Sequence, residues 1–241
     1  MNRTHLDLFS GIGGFALACR WLACRWAGVE TIGFAEIDDY ASRVLAKNFP
    51  GVPNYGDVRN VPAGAAWLVT GGFPCQPFSY SGQLGGKDDD RYLWPEMART
   101  IERIRPTWIV AENVPGIVNV VIDDIFDDMA HLGYSATAVV IPALAVDARH
   151  RRDRVWIVGN SSGGRRSWFN GWWTGPQSPN RHQHMGEGKP AAWTSDAGIC
   201  RVANGIPNRV DRLRGLGNAI VPQVAYQLIQ MMIAAEQADS I

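Results

Sequence analysis

The sequence predicts an α/β fold built on a mostly parallel sheet, and two observations support this. In the first 160 residues, short apolar runs typical of strands alternate with segments of helical periodicity. Several of these runs end in glycine or in a polar side chain, as expected at the carboxyl ends of parallel strands, where ligands bind. The chain has 241 residues and is 46% hydrophobic, which is enough for one full domain with a sizeable core.

The predicted strands and helices alternate along the chain. The strand candidates are the six runs 5–9, 31–35, 66–70, 107–111, 136–142 and 154–159. The helix candidates are 15–27, 39–48, 93–104, 122–132 and, near the end of the chain, 221–235. Residues 160–208 are rich in Gly, Ser, Asn, Pro and Trp and have little periodicity, so they are predicted to form a compact, loop-rich segment.

The composition disfavours several classes of protein. No apolar run reaches the roughly 20 residues that span a bilayer, and the N-terminus has no signal-peptide apolar region, so we expect a cytoplasmic protein. The cysteines lack the spacing of a zinc site, and Cys19, Cys24 and Cys200 are expected to be small buried hydrophobes. The acidic pairs at 123–124 and 127–128 are typical of a solvated helix face, so no metal is expected.

The first chemical motif is a glycine-rich turn. Residues 7–15 (Asp-Leu-Phe-Ser-Gly-Ile-Gly-Gly-Phe) indicate a strand, a turn and the start of a helix, and glycine lets the backbone approach a nucleotide closely. The pattern is neither Gly-x-Gly-x-x-Gly nor a P-loop, which disfavours a dinucleotide or a triphosphate. Glu36 ends the next strand, where a carboxylate can accept hydrogen bonds from ribose hydroxyls. Asp57, in a later loop, could hold an adenine amino group.

The second motif places a cysteine after a buried strand. Residues 71–79 (Gly-Gly-Phe-Pro-Cys-Gln-Pro-Phe-Ser) form a loop that prolines stiffen on both sides of Cys75. A free thiol has a pKa of about 8.5, so a nucleophilic Cys75 needs a site that favours the thiolate. Glu112 ends the next strand and is expected beside this loop. Cysteine and glutamate without histidine do not suit acyl transfer, but they suit attack on an electron-poor heterocycle whose ring nitrogen the carboxyl binds.

Together and in this order, the segments resemble the DNA (cytosine-5)-methyltransferases of bacterial and phage type. The matching stretches are 7–15, Glu36, Asp57, 73–76, 112–114, Arg152 with Arg154, and 217–222. The resemblance covers nearly the whole chain except about 161–205. It implies the Rossmann-like fold of S-adenosylmethionine-dependent methyltransferases. The implied units are a catalytic and cofactor-binding domain at 1–160, a very small loop-rich target-recognition segment at 161–205, and a C-terminal segment at 206–241 that returns to the catalytic domain.

The resemblance also implies an activity and a set of site residues. A methyl group would pass from S-adenosylmethionine to C5 of a flipped-out cytosine in DNA. Cys75 would attack C6, Glu112 would bond N3 and the exocyclic amine, and Arg154 would orient the base and Glu112, with Arg152 also in the catalytic set. The implied cofactor contacts are Phe9, Gly11, Ile12, Gly13, Glu36, Ile37, Asp57, Val58, Pro74, Leu93, Asn218 and Ala219. The implied DNA contacts are Gln76, Ser79, Ser81, Arg91, Arg165 and Arg166.

The implied partners are double-stranded DNA and a cognate restriction endonuclease. The protein is expected to be a monomer in the cytoplasm of a bacterial or phage-infected cell, with no membrane attachment. Two alternatives stay open from the sequence. One is RNA as the substrate, since a branch of the family methylates transfer RNA, and the other is a catalytically inactive binding module.

Two features depart from the family pattern. His150 stands where the family usually has Gln, two positions before Arg152. Only about 45 residues lie between Gly159 and Asn204, where many relatives carry a separate recognition domain. Basic residues interleaved with tryptophans there suit phosphate contact and base stacking, and they equally suit a small cap with a tryptophan core.

The charge of the chain is divided between two regions of opposite sign. The total of 23 Lys and Arg against 23 Asp and Glu gives no net charge, which on its face disfavours a nucleic-acid binder. Residues 146–215, however, contain twelve basic and five acidic residues, a net of +7, and the remainder contains eleven and eighteen, a net of −7. Local charge meets phosphates, so the sequence predicts salt-sensitive binding through the basic region.

Overall fold

The fold was analysed in a computed structural model of the chain that describes residues 3–23, 28–74, 92–161 and 209–238. Its elements are β1 (Arg3–Leu8), α1 (Gly14–Ala23), β2 (Val29–Ala35), α2 (Asp39–Asn48), β3 (Leu68–Gly71), α3 (Trp94–Ile104), β4 (Trp108–Asn113), α4 (Ile122–His131), β5 (Ser135–Pro142), β6 (Asp153–Asn160), α5 (Arg209–Asn218) and α6 (Pro222–Ala238). All six predicted strands are present, within two residues of the predicted bounds.

The described strands form one six-stranded sheet in the order β2-β1-β3-β4-β6-β5. The neighbours among β1 to β4 pair in parallel, whereas β6 is antiparallel to both β4 and β5. The predicted mostly parallel α/β sheet is therefore confirmed, with β6 reversed. Because β6 is reversed, its first residues lie at the edge of the sheet where β4 ends.

The register brings the carboxyl ends of the four parallel strands to the same edge of the sheet. Leu8 lies opposite Ala35 of β2 and Gly71 of β3, and Gly71 lies opposite Ala111 of β4, which continues two residues further to Asn113. The segments that follow the strands therefore leave the sheet at one edge. This edge carries the glycine-rich turn, Glu36, the loop after β3 and the end of β4.

Helices cover both faces of the sheet, and the alternation of side chains along the strands explains why. Ile109 and Ala111 of β4 belong to a core that α3 and α4 complete with Met97, Ile101, Ile125 and Met129. Trp108 and Val110 of the same strand face a second core. That core includes residues of α1 and α6, namely Phe15, Leu22, Val224, Leu228 and Met232. The end of the chain thus packs on the same sheet as its beginning.

One helix differs from the sequence prediction, and another is described only in part. The predicted first helix spans 15–27; the structure describes α1 over Gly14–Ala23, and residues 24–27 lie outside the described part of the chain. Cys19 of this helix is fully buried, as predicted. Helix α5 was not predicted, because its sequence is polar and contains Gly215 and Gly217, which weaken any helical pattern.

A buried polar chain crosses β2, β1 and β3. The ring of His5 lies 3.0 Å from Oγ1 of Thr31 and 2.8 Å from Oγ1 of Thr70, and Thr70 donates a hydrogen bond of 2.9 Å to Oδ1 of Asp7. Burial lowers the pKa of His5 to about 3 and raises the pKa of Asp7 well above its usual value. Neutral His5 therefore serves as a core residue whose polar atoms all have partners.

No helix among the described residues is long and apolar enough to span a bilayer.

Candidate active site

The glycine-rich turn after β1 forms one side of the candidate site. Phe9, Gly11 and Gly13 all have positive φ angles, of 50°, 52° and 86°. A Cβ atom on Gly13 would lie 2.8 Å from the ring of Phe49, so only glycine fits there, whereas a Cβ on Gly11 would meet no atom within 4 Å. Gly13 is therefore required for packing, and Gly11 leaves open space that a ligand can approach.

Glu36 is bound to this turn by its carboxylate. Oε2 accepts a hydrogen bond of 2.7 Å from the backbone N–H of Gly11, and Oε1 accepts one of 2.8 Å from the N–H of Asp38. Asp38 in turn caps α2 by accepting a hydrogen bond from the N–H of Ala41. The carboxylate predicted to bind ribose is thus fixed between the turn and the start of α2.

The residues predicted to surround an adenine base differ in exposure. Ile37 is 73% exposed, although its side chain is large and apolar. Asp57 is the N-cap of a 3-10 turn at Val58–Asn60, where it accepts a hydrogen bond from the N–H of Arg59 and pairs with the Arg59 guanidinium at 3.4 Å. The side chain of Val58 is buried in the core, so its backbone is the part that a cofactor could contact.

Glu112 lies at the end of β4 on the same edge of the sheet. It is only 7% exposed, and burial raises its pKa to about 7 despite the opposing effects of Arg154 and Arg152. Nε of Arg154 lies 3.0 Å from Oε1 of Glu112, and Nη1 of Arg154 donates to the carbonyl of Asp153. Arg154, the residue predicted to orient Glu112, is thus paired with its carboxyl.

Arg152, also predicted to be in the catalytic set, lies near Glu112 and Arg154 and binds the backbone of the return segment. Its Nη2 donates hydrogen bonds of 2.7 and 2.8 Å to the carbonyls of Gly217 and Ala219. Burial is the main cause that lowers its pKa, and the nearby charge of Arg154 adds to this. Arg152 therefore ties the start of β6 to the turn between α5 and α6, which carries the predicted cofactor contacts Asn218 and Ala219.

The same turn also packs against the glycine-rich turn. A Cβ atom on Gly14 would lie 2.5 Å from Cγ1 of Ile220, so glycine is required for this contact. A Cβ on Gly215 would lie 3.3 Å from Ile12, which places α5 beside the predicted cofactor contact Ile12. The return segment and the first turn of the chain thus form one surface, on which Asn218 is exposed and Ala219 half-buried.

The chain on either side of residues 75–91 is held in place by Phe73 and Asn113. Nδ2 of Asn113 donates a hydrogen bond of 3.0 Å to the carbonyl of Phe73, and the ring of Phe73 contacts Tyr92 and Trp94 with centroids 6.5 and 5.5 Å apart. Pro74 and Leu93, the two adjacent cofactor predictions, are half-buried. Asn113 was not among the predicted site residues, although it follows Glu112 directly in the matched motif.

Several predicted residues lie outside the described part of the chain. They are Cys75, Gln76, Ser79, Ser81, Arg91, Arg165 and Arg166. Within the described ranges, no group of three metal-ligating side chains occurs. Asp128 of the acidic helix face accepts a hydrogen bond of 2.8 Å from Nε1 of Trp94.

Asn54 is a polar residue beside Glu36 that was not predicted from the sequence. Its side chain binds the backbone of both Glu36 and Gly56 and also Ser42. An exposed asparagine two residues before a Gly-Asp pair is too common a pattern to reveal this role. Only its position relative to the end of β2 makes it evident.

The chain is similar to known proteins in both sequence and fold. The profile of the family described as C-5 cytosine-specific DNA methylase matches residues 3–191. The Type II methyltransferase M.HgiBI of Herpetosiphon aurantiacus is 35% identical over 163 residues, which cover 64% of this chain and 36% of that protein.

Two solved structures are similar in fold. A putative DNA modification methyltransferase encoded within a prophage of E. coli has a TM-score of 0.54 and 26% identity, over 66% of this chain and 47% of that one. The methyltransferase EhMeth of Entamoeba histolytica has a TM-score of 0.55 and 19% identity, over 69% and 55%.

These similarities confirm the Rossmann-like methyltransferase fold that the sequence predicted. The matched stretch is little more than a third of the length of M.HgiBI. The family profile nevertheless matches well over half of the 241 residues. The chain belongs to the C-5 cytosine-specific DNA methylase family.

Proposed function

We propose that the chain transfers a methyl group from S-adenosylmethionine to C5 of a cytosine in DNA. The observation that carries the proposal is the carboxyl of Glu112, which is buried at the end of β4, paired with Arg154, and has a pKa of about 7. Cytosine presents the acceptor N3 beside the donor exocyclic amine. A protonated carboxyl can donate to N3 with one oxygen and accept from the amine with the other, so Glu112 suits this edge of the base.

The surroundings of Glu36 support the proposed cofactor. One lone pair on each carboxylate oxygen is used by the N–H groups of Gly11 and Asp38, which leaves the others for two ribose hydroxyls. Exposed Ile37 offers an apolar surface to an adenine ring, and Gly11 faces open space. The residues therefore fit S-adenosylmethionine, whose sulfonium supplies an electrophilic methyl group when it is bound.

The proposed chemistry begins at Cys75. Its thiolate adds to C6 of the base and forms a C–S bond, while Glu112 holds the proton at N3. The displaced electron pair makes C5 nucleophilic, and C5 takes the methyl group as the S–C bond to the sulfonium breaks and S-adenosylhomocysteine is left. A general base then removes the C5 proton, and the electron pair of that C–H bond restores the C5–C6 double bond as the thiolate leaves C6. The cytosine gains one methyl group and loses one proton, and Cys75 is regenerated.

DNA is the proposed substrate because of the family and the charge of the sequence. Residues 146–215 have a net charge of +7, which suits a phosphate backbone. C5 and C6 are inaccessible in stacked DNA, so the proposal includes extrusion of the base, at a cost of a few kcal/mol. A monomeric protein with a cognate restriction endonuclease stays a prediction of the sequence.

Two experiments in sequence test the proposal. Bisulfite sequencing of DNA from cells that express the protein should reveal methylated cytosines in a defined context. An oligonucleotide with 5-fluorocytosine in that context should then trap the protein covalently when S-adenosylmethionine is present, because fluorine cannot leave C5 as a proton does. Cys75→Ala should abolish trapping, and Cys200→Ala, outside the matched motifs, is the control.

Three outcomes would contradict the proposal in different ways. Trapping that persists in Cys75→Ala would show that another residue attacks C6. Parallel labelling of DNA and transfer RNA with radioactive cofactor would assign the substrate to RNA if only RNA became labelled. Normal cofactor binding without methylation of either nucleic acid would identify an inactive binding module.

A further inference from the structure

The side chain of Asn54 joins the two segments that carry Glu36 and Asp57, the carboxylates proposed to bind the cofactor. Oδ1 of Asn54 accepts hydrogen bonds from the backbone N–H groups of Glu36, at 3.0 Å, and of Gly56, at 3.2 Å. Its Nδ2 donates to the carbonyl of Glu36 and to Oγ of Ser42, both at 3.0 Å. One exposed side chain therefore uses both of its acceptor positions and both of its donors.

The orientation of this amide is determined by its partners. The backbone N–H groups of Glu36 and Gly56 can only donate, so the amide oxygen must face them. The carbonyl of Glu36 can only accept, so the amide nitrogen must face it. A flipped Asn54 would lose these three hydrogen bonds. The arrangement thus tolerates one rotamer and one orientation.

These hydrogen bonds leave Glu36 with a partner at every polar atom. Its backbone N–H and carbonyl bind Asn54, and the carbonyl also accepts a hydrogen bond of 3.2 Å from Oγ of Ser42. Its carboxylate binds the N–H groups of Gly11 and Asp38. The backbone contacts fix the position from which the carboxylate reaches the glycine-rich turn.

Asn54 also fixes the segment that contains Asp57. Gly56 has a φ angle of 71°, and a Cβ atom there would meet no atom within 4 Å. The N–H of this glycine donates to Asn54, while the neighbouring Tyr55 donates its N–H to the carbonyl of Phe34 on β2. The end of β2 and the loop at 55–57 are therefore joined both by this backbone hydrogen bond and by the Asn54 amide, and the amide is the link that binds Glu36 and Gly56 directly.

We propose that Asn54 is a positioning residue for the nucleoside part of the cofactor, acting through Glu36 and Asp57 without contact with the reacting atoms. The inference rests on the proposed function, because Glu36 and Asp57 are the proposed ribose and adenine contacts. Without the amide, the backbone hydrogen bonds of Phe34 still join the two segments, but Glu36 and Gly56 lose their direct link and the spacing of the two carboxylates is less tightly fixed. Cofactor binding then carries the entropic cost of ordering them.

Titration calorimetry of the full chain with S-adenosylhomocysteine tests the inference. Asn54→Ala should raise the Kd roughly tenfold, because the free energy lost corresponds to about one to two net hydrogen bonds. At saturating cofactor and DNA, kcat should stay within about twofold of the wild-type value, since the chemistry at Glu112 is distant from Asn54 in the sheet. The matched control is Asn48→Ala, an exposed asparagine on α2 whose amide binds only the carbonyl of Val44.

A double-mutant cycle separates positioning from general damage to the fold. In a Glu36→Ala background, Asn54→Ala should weaken binding by roughly threefold or less, since one of the two carboxylates it positions is gone. An equal loss in both backgrounds would overturn the inference, as would an Asn54→Ala Kd equal to that of the wild type. Failure of the wild-type chain itself to bind S-adenosylhomocysteine would overturn the proposed function instead. The two failures are therefore distinguishable.

Discussion

Nε of Arg154 lies 3.0 Å from Oε1 of Glu112, and this pair joins the end of β4 to the start of β6. The pair forms because β6 is antiparallel, with Glu112 opposite Trp156 and Asn113 opposite Val155. A parallel strand in the same place would carry Arg154 to the other edge of the sheet. The reversed strand is thus what gives the buried carboxyl its cationic partner.

The titration of Glu112 should be measurable as a pH dependence of stability. Burial raises its pKa from 4.5 to about 7 in the folded chain. A raised pKa means that the folded state holds the proton more tightly than the unfolded state. Protonation of Glu112 therefore adds to the free energy of unfolding, fully below about pH 4.5, and this stabilisation is lost as the pH rises through about 7. Glu112→Gln does not titrate. Its stability relative to the wild type should therefore increase between pH 5 and pH 8.

Denaturant unfolding at several pH values measures this difference. Glu102→Gln, a change at an exposed position on α3, is the matched control. If the difference in the free energy of unfolding between Glu112→Gln and the wild type stayed constant from pH 5 to pH 8, Glu112 would already be fully ionised in the folded chain at pH 5. The same variant should lose methylation activity at every pH, because an amide cannot give its proton to N3 as a carboxyl can.

Arg152 should affect cofactor binding more than the catalytic step. Arg152→Met removes the hydrogen bonds to Gly217 and Ala219, so the turn with the proposed cofactor contacts loses its link to β6. We expect the Kd for S-adenosylhomocysteine to rise roughly tenfold. Arg152→Lys should restore part of the affinity, because an ammonium group can also donate to two carbonyls.

The control for Arg152 is its neighbour Arg151. Arg151 is highly exposed and pairs with Asp153 at 2.9 Å, so Arg151→Met should leave the calorimetric Kd unchanged. If Arg152→Met instead bound the cofactor normally and lost only kcat, Arg152 would belong with Glu112 in the catalytic set, as the sequence resemblance implies.

The sequence predicted the strands well because buried strands need continuous apolar runs. All four residues of β3 are buried, and its run at 66–70 was recognisable without any structure. The direction of β6 could not be predicted, because the apolar run at 155–158 indicates a buried strand whether the strand is parallel or antiparallel to its neighbours. Its reversal depends on packing beside β4, which is a property of the whole sheet.

The site was predictable where function depends on local pattern and not where it depends on distant contacts. Gly11, Glu36 and Glu112 stand at strand ends, which sequence patterns reveal. Arg152 and Gly217 are 65 residues apart, and no local pattern indicates that they meet. The contribution of Asn54 likewise arises only when β2 and the loop at 55–57 lie side by side.

Gly14 should be intolerant of even a methyl group, because of Ile220. A Cβ atom on Gly14 would lie 2.5 Å from Cγ1 of Ile220 but 3.8 Å from its Cβ. Gly14→Ala alone should therefore destabilise the protein by about 1–3 kcal/mol through overpacking. In an Ile220→Ala background the same change should cost little, since the clashing atom is absent. Denaturant unfolding of the four proteins in this cycle gives the coupling, and additive effects would contradict the predicted clash.

Glu236 should contribute to stability without contributing to the site. Its Oε1 accepts hydrogen bonds from Nε1 of Trp67, at 2.6 Å, and of Trp108, at 3.0 Å, and its Oε2 accepts from both Nε and Nη2 of Arg3. Arg3 and Trp108 begin β1 and β4, so this cluster lies at the edge of the sheet opposite Glu36 and Glu112 and fixes the end of α6 there. Glu236→Ala removes the acceptor that the two tryptophans share and leaves the Arg3 guanidinium without its carboxylate partner.

We expect Glu236→Ala to lower the free energy of unfolding by about 2–4 kcal/mol, since hydrogen bonds to a charged acceptor are stronger than neutral ones. Gln237→Ala, one residue further along α6 and exposed, should change it by less than about 0.5 kcal/mol. Below the melting range, both variants should bind S-adenosylhomocysteine with the wild-type Kd, because α6 keeps its contacts with Phe15 and Trp156 along its length. A weaker Kd for Glu236→Ala alone would show that the position of α6 is transmitted to the turn at Gly217, and that this cluster sets the geometry of the site from the far edge of the sheet.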